Sequence, residues 1–309
     1  MRIGKRVFLF ISVNILIIAT ISMVMSVLGI QPYLDAKGIN YHSLLIFCVI
    51  WGFGGAFISL ALSRKMAKWM MGVKIIDPNT THPEFRDLLM RVHAFSRRAG
   101  LKTMPEVGYY EADDLNAFAT GPTKNRSLVA VSTGLLRNMN DAEVDGVLAH
   151  EVAHIANGDM VTMTLVQGVV NAFVMFLARV AGFFTSQFAP EDKRPIVQFG
   201  VVIALEIVLG ILGMLVVSFF SRLREYRADH GGATLSSREN MIAALERLKL
   251  NQALPQVEEQ PSLATLKISG KTGGFLKLFS THPDLDDRIA RLRMVRETDR
   301  AARRQLRYG

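Results

Sequence analysis

Cysteine is almost absent from this chain of 309 residues: Cys48 is the single one. A disulfide framework within the chain is thereby excluded. No internal repeat is visible, which removes solenoid and propeller architectures. Charge is missing from two long stretches, Val7–Ile30 and Tyr41–Leu62. Each is longer than the roughly 20 residues that cross a bilayer core. The opening "MRIGKR" has the look of a signal peptide's basic start. The apolar run behind it outlasts the core of about 7–15 residues that such peptides carry, and no small-x-small cleavage site follows. The first run therefore reads as an uncleaved anchor.

What is present agrees with a membrane protein. Half of the residues (50%) are hydrophobic and the net charge is +9. A soluble domain is rarely so apolar. Excess base suits nucleic acid or an anionic membrane surface. Here Lys and Arg gather at the ends of the apolar runs, so the lipid bilayer is the expected partner and nucleic acid is not. Two further runs, Met160–Phe184 and Ile196–Phe220, are interrupted by Gln167, Asn171, Arg179 and Glu206. They are either buried helices of a soluble domain or spans; their length and their Val, Leu, Ile and Phe content favour spans. In an antiparallel hairpin Arg179 and Glu206 would lie within one or two turns of each other in depth, where a pair relieves the cost of each charge.

Basic residues flank the spans on one side. Arg2, Lys5 and Arg6 precede the first, Arg64, Lys65, Lys68 and Lys74 follow the second, and Arg222, Arg224 and Arg227 follow the fourth. The positive-inside rule then puts the N-terminus, the polar regions and the C-terminus in the cytoplasm. The expected organisation is a membrane hairpin over 1–62 with spans 7–30 and 41–62, and a first catalytic part over 63–159. A second hairpin follows over 160–220 with spans 160–184 and 196–220, then a second catalytic part with a basic tail over 221–309. The fold class is α+β, multi-pass, with four apolar helices.

In the polar regions, Phe85, Leu88, Leu89, Val92 and Phe95 recur at helical spacing. Residues 106–111, 116–120 and 127–132 read as strands, with turn chemistry at "GPTKN". A helix capped by Ser237 is expected next, then an irregular loop over 251–275 and a helix around 284–296. The tail "DRAARRQLRYG" suits anionic lipid.

The chemistry lies in "NDAEVDGVLAHEVAHIANGD", residues 140–159. Asn140 and Glu143 form a capping-box pattern that starts a helix at Asp141. On that helix His150 and His154 are four apart, so both imidazoles leave from one face and can share an ion. Zinc takes such nitrogens. Glu151, one position on, points near the ion without binding it and can take a proton from water there. A catalytic zinc wants a third protein ligand and one open position. Downstream, Glu225 and Asp229 in "SRLREYRADHGGA" share one helical face. Glu225 would complete a His–His–Glu set, and Asp229 would accept the outer N–H of a ligating histidine. Both could instead simply pair with neighbouring arginines. The chain favours the first reading, because a hairpin between the two motifs returns Glu225 to where the histidine helix ended.

"HEVAH" at 150–154, "EYRAD" at 225–229, "NAFATG" at 116–121 and "FSTHPDLDDRI" at 279–289, in this order around four apolar runs, resemble the HtpX-type membrane metalloproteases, which are related more distantly to the CAAX prenyl endopeptidases. The resemblance implies a gluzincin-like cytoplasmic domain with one Zn2+ per chain. It implies His150, His154 and Glu225 as ligands and Glu151 as general base. It further implies a substrate strand at Asn116, Ala117, Phe118 and Ala119, and a place near the site for His282, as oxyanion donor or as a regulator competing for the open position. The implied activity is endoproteolysis of misfolded or membrane proteins in quality control at the bacterial inner membrane. Two other readings stay open on the residues: a membrane chaperone or scaffold with a structural zinc, and a transporter built on Arg179 and Glu206.

Overall fold

The structure, a computed structural model, describes residues 38–253 and 282–294, with Val27, residues 34–35 and Ser280. The first apolar run (Val27 apart), most of the expected loop at 251–275 and the basic tail lie outside the described residues. The chain divides into two compact units, residues 1–61 with 162–220 and residues 62–161 with 221–309.

In the first unit a short antiparallel ribbon pairs β1 (Leu34–Asp35) with β2 (Gly38–Ile39). Among the described residues three helices are long and apolar enough to cross a membrane: α1 (Tyr41–Met70), α5 (Asp159–Ser186) and α6 (Arg194–Leu235), the last entered through a 3-10 turn at Glu191–Lys193. Only 17%, 6% and 6% of their most apolar windows are buried within the protein. Core helices of a soluble domain would be covered by neighbours; these leave apolar faces for lipid. Where they touch, small residues make room. A Cβ on Gly52 would sit 2.6 Å from the Ala172 backbone nitrogen, and one on Gly168 would meet the Phe53 ring at 2.4 Å. Close backbone approach of this kind is how membrane helices pack without a hydrophobic drive between them. The interrupting polar groups find partners. Arg179 Nη1 donates to Glu206 Oε1 at 2.6 Å, as the depth argument expects, and its guanidinium lies 5.2 Å from the Phe47 ring centroid. Gln167 Nε2 donates to Asn171 Oδ1 at 2.7 Å.

The second unit is a mixed four-stranded sheet, ordered β3-β4-β6-β5, with helices packed on it. β3 (Lys74–Ile75) is antiparallel to β4 (Glu106–Tyr110), β4 is parallel to β6 (Arg126–Ser132), and β5 (Ala117–Thr123) is antiparallel to β6. Helix α2 (Pro83–Arg98) buries Leu88, Leu89, Val92 and Phe95, the stripe its spacing predicts. A short α3 (Thr133–Asn138) leads into α4 (Asp141–Asn157), whose capping box forms in full. Asn140 Oδ1 accepts from Glu143 N at 3.0 Å and Glu143 Oε2 from Asn140 N at 2.9 Å. Both α7 (Arg238–Ala253), capped by Ser237 Oγ accepting from Asn240 N at 3.0 Å, and a last helix α8 over 285–294 lie where the sequence places helices.

The reversal falls within "GPTKN" as expected but is narrower than that stretch. β5 runs on through Gly121 and Pro122 to Thr123, and the reversal uses Lys124 and Asn125 alone. A bulge between Thr120 and Thr123 absorbs the proline, which has no N–H for the ladder. Gly121 has φ 147°, and a Cβ there would fall 2.2 Å from the Arg126 carbonyl oxygen. The two residues that look like a turn therefore bend an edge strand.

Candidate metal centre

Helix α4 is buried along most of its length, and its histidine face is turned toward α6. Two glycines bring the helices together. A Cβ on Gly231 would lie 2.7 Å from Ala153 Cβ, and one on Gly232 would lie 3.1 Å from the His150 nitrogen. Glu225, Asp229 and Gly232 follow each other at four and three residues, so the glycine contact directs both carboxylates at the histidines.

Among the described residues, His150, His154 and Glu225 offer three ligand atoms that all lie within 4.8 Å of one another. The two Nε2 atoms are 3.1 Å apart. Glu225 Oε2 is 3.4 Å from His150 Nε2, and Oε1 is 3.4 Å from His154 Nε2. With bonds of about 2.0–2.1 Å, the edge of a tetrahedron of zinc ligands is about 3.3 Å. The observed separations fit that figure. Both Glu225 oxygens are buried without a hydrogen-bond partner, a costly state for a carboxylate that an ion would relieve.

The outer ring nitrogens are occupied. Asp159 Oδ2 lies 2.6 Å from His154 Nδ1, and Asp229 Oδ1 lies 3.1 Å from His150 Nδ1 with poorer alignment. With the protons on Nδ1, both Nε2 lone pairs converge, which is unfavourable at 3.1 Å unless a cation sits between them. Asp229 is also gripped by Arg288, whose Nε and Nη2 donate to it at 2.8 and 2.5 Å. Arg288 is 1% exposed, and its Nη1 stands 3.7 Å from Glu225 Oε2. Asp229 thus pairs with an arginine, though with one 59 residues along the chain and not with a neighbouring one, and it also reaches the imidazole.

The charges express the same balance. Burial works against the charged form of His154, but the Glu225 charge and the Asp159 hydrogen bond outweigh it and push the imidazole up to about 10. His150 is likewise raised against its burial, by Asp229 and Glu225. Burial would raise Glu225, yet His282, then His154 and His150, hold it well below the usual carboxylate range. Asp229 is brought down to about 2, burial being overcome by Arg288 and then His150. A divalent ion would supply the positive charge that these imidazoles otherwise draw from protons.

Glu151 is 5% exposed and stands outside the three-ligand group, although its charge is felt by His154 and Arg288. His282 does reach the centre: its Nδ1 lies 3.1 Å from Glu225 Oε2. Its loop is tied down by Ser280 Oγ donating to the His282 carbonyl at 2.7 Å and by Arg222 Nη1 donating to the Ser280 carbonyl at 3.0 Å. His42, His82, His93 and His230 take no part in the group.

Asn116 lies just ahead of β5. Its carbonyl accepts from Ser132 N at 2.9 Å and its Nδ2 donates to Tyr110 Oη at 2.8 Å. That pairing sets the alternation of the antiparallel ladder: Phe118 bonds to β6, whereas Ala117 and Ala119 turn their N–H and C=O groups to the other side. On that side no described strand pairs with β5, which is the edge of the sheet.

Sequence reasoning misses Asp159, Arg288 and the Gly231–Gly232 pair. Gly158 just before Asp159 is a helix-stop signal that could have exposed the first; Arg288 lies within "FSTHPDLDDRI", but its spacing does not mark it as a partner of Asp229.

Residues 82–296 match the family model described as Peptidase family M48. The chain is 54% identical over 296 residues to a protein named Protease HtpX homolog of Bacillus subtilis (strain 168), covering 94% of this chain and 99% of that one. It is 47% identical over 293 residues to a Protease HtpX homolog of Thiobacillus denitrificans, with the same coverage. Among solved structures, the crystal structure of S. mikatae Ste24p is similar with a TM-score of 0.63 at 17% identity, over 94% of this chain and 64% of that one. The last comparison speaks to fold alone.

Proposed function

The chain belongs to peptidase family M48 as an HtpX-type membrane metallopeptidase, and on that premise we propose that it is a zinc endopeptidase. Its substrates would be extended segments of misfolded or membrane proteins, cut at the cytoplasmic face of a bacterial inner membrane in envelope quality control. The observation that carries the reading is the trio of ligand separations, 3.1, 3.4 and 3.4 Å, with both Nε2 atoms turned inward. His150, His154 and Glu225 hold the ion, and Asp229 braces His150. Bound zinc supplies the Lewis acidity that polarises a peptide carbonyl and makes water easier to deprotonate. Glu151 takes the proton of the attacking water and delivers it to the leaving amine. His282 stands close enough to Glu225 to donate toward the carbonyl oxygen as charge develops on it. The main-chain groups of Ala117 and Ala119 that face away from β6 would hold an extended peptide by strand addition, which is blind to side chains and suits unfolded substrates.

The cytoplasmic side is supported by the basic residues flanking the spans. Two of them, Arg64 and Lys68, also pair with Glu106 at 2.5 and 2.8 Å.

The test is direct. Full-length protein in detergent should cleave a permanently unfolded protein, stop when a chelator strips its metal, and resume on addition of zinc. Cleavage that persists in the metal-stripped protein would end the proposal. Gly232→Val gives a second check. The added atoms meet Met241 Sδ at 2.9 Å and the His150 backbone at 3.1 Å, so α6 must move by some tenths of an ångström. Such overpacking costs about 1–3 kcal/mol. A metal site tolerates distance errors of only about 0.2 Å. Zinc content and cleavage should fall together, read by metal analysis and by gel.

A further inference from the structure

The two imidazoles are braced differently. His150 is backed by Asp229, on the helix face that also carries Glu225. His154 is backed by Asp159, which belongs to α5 and to none of the recognised motifs. The Asp159 side chain is 1% exposed and that of His154 11%, and the Oδ2–Nδ1 separation is 2.6 Å.

The backbone is built to make this contact. Gly158 alone separates α4 from α5, in the left-handed conformation with φ 73°, and its N–H bonds to the carbonyls of His154 and Ile155. Lys124, at the tip of the β5–β6 hairpin, donates to the Ala156 carbonyl and fixes the end of α4. The next helix consequently starts with its first side chain turned back at the ring. The first turn of a helix favours a carboxylate, because its N–H groups lack intrahelical partners. Asp159 Oδ1 also lies 3.4 Å from Arg227 Nη2, on a side chain that is 62% exposed.

We propose that Asp159 is a positioning residue for the metal ligand His154. It accepts a hydrogen bond from the Nδ1–H, fixes the tautomer and the ring plane, and so presents the Nε2 lone pair to the ion. The proposal rests on the zinc reading above. Satisfying one buried N–H needs no carboxylate; a carbonyl oxygen or a water does so at smaller desolvation cost. A carboxylate acceptor additionally makes the imidazole a better donor to a metal. Asp229 cannot do this as fully for His150, since its two oxygens are shared with Arg288.

The experiment uses full-length protein in detergent: wild type, Asp159→Ala and Asp159→Asn. Zinc affinity is measured by competition with a chromophoric chelator, and the melting midpoint is measured on the zinc-free forms. Asp159→Ala should weaken zinc by about 10–100-fold, in the range found for groups behind metal ligands. Asp159→Asn, whose amide oxygen still accepts, should fall between it and wild type. A purely structural residue would lower the zinc-free midpoint and leave affinity within twofold of wild type; that result overturns the proposal. If the alanine variant does not fold, the asparagine variant decides alone: weaker zinc supports the proposal and unchanged zinc overturns it. A wild type that binds no zinc defeats the metal reading and this one together, which separates that failure from loss of the Asp159 role alone.

Discussion

Glu151→Gln should lower peptide-bond hydrolysis by about 10²–10⁴-fold, the range that general acid–base catalysis contributes, while the protein keeps its zinc. Glutamine matches glutamate in shape and can still donate a hydrogen bond, but it cannot take a proton from water at neutral pH. The ion should be indifferent, because the three converging ligand atoms belong to His150, His154 and Glu225 and none to Glu151. The measurement pairs a time course on an unfolded protein with metal analysis of the same sample. Loss of cleavage together with loss of zinc would mean that Glu151 holds the ion or the fold, and the proposed role would be wrong. Full activity in the variant would favour a structural zinc, whose natural fourth ligand would be His282, 3.1 Å from Glu225.

The centre was partly legible because much of it is local. His150, Glu151 and His154 share one helix, and capping by Asn140 and Glu143 fixes where it starts. Spacing on one helix needs no tertiary knowledge. Glu225 and Asp229 were legible as a pair on one face, and their approach to the histidines could be argued only from the order of apolar runs. What spacing cannot carry is contact across helices. Gly231 and Gly232 look like breakers, yet they lie inside α6 and matter for the Cβ they lack. Arg288 approaches from a helix far along the chain, in a stretch where Asp284, Asp286 and Asp287 make it look like an ordinary surface charge. Pro122 similarly hid a strand, because a bulge at an edge tolerates the missing N–H that a central strand would not. Helix existence was easier to read than the point at which α6 ends: the apolar run stops near Phe220, but the helix continues to Leu235, carrying Glu225 and Asp229 on it.

Arg288→Met should destabilise the second unit by about 3–5 kcal/mol, the usual cost of breaking a buried ion pair by removing one partner. The side chains of Arg288 and Asp229 are 1% and 3% exposed, and two hydrogen bonds of 2.8 and 2.5 Å join them. Methionine fills much of the same volume, so the loss is of charge and hydrogen bonds and not of packing. It strands Asp229 and removes the guanidinium 3.7 Å from Glu225. The sign of the pH dependence follows from Asp229. Burial would raise its carboxyl, but Arg288 first and His150 next bring it down to about 2. Its unfolded value is about 3.9, so its stabilising contribution is complete above that pH and fades as pH falls toward 2. Without Arg288 the burial effect is left opposed mainly by His150, and the gap between wild type and variant should narrow as the pH falls through about 3.9 toward 2. Arg288→Lys should recover only part of the stability, since a point charge cannot reproduce the two-armed contact. The double change Asp229→Asn with Arg288→Met should cost less than the sum of the two single changes, because no lone charge is then left at that pair. Melting of all four variants in detergent, with and without zinc, measures these differences. A loss in the double variant equal to the sum of the two single losses would show that the arginine and the aspartate do not act as one unit.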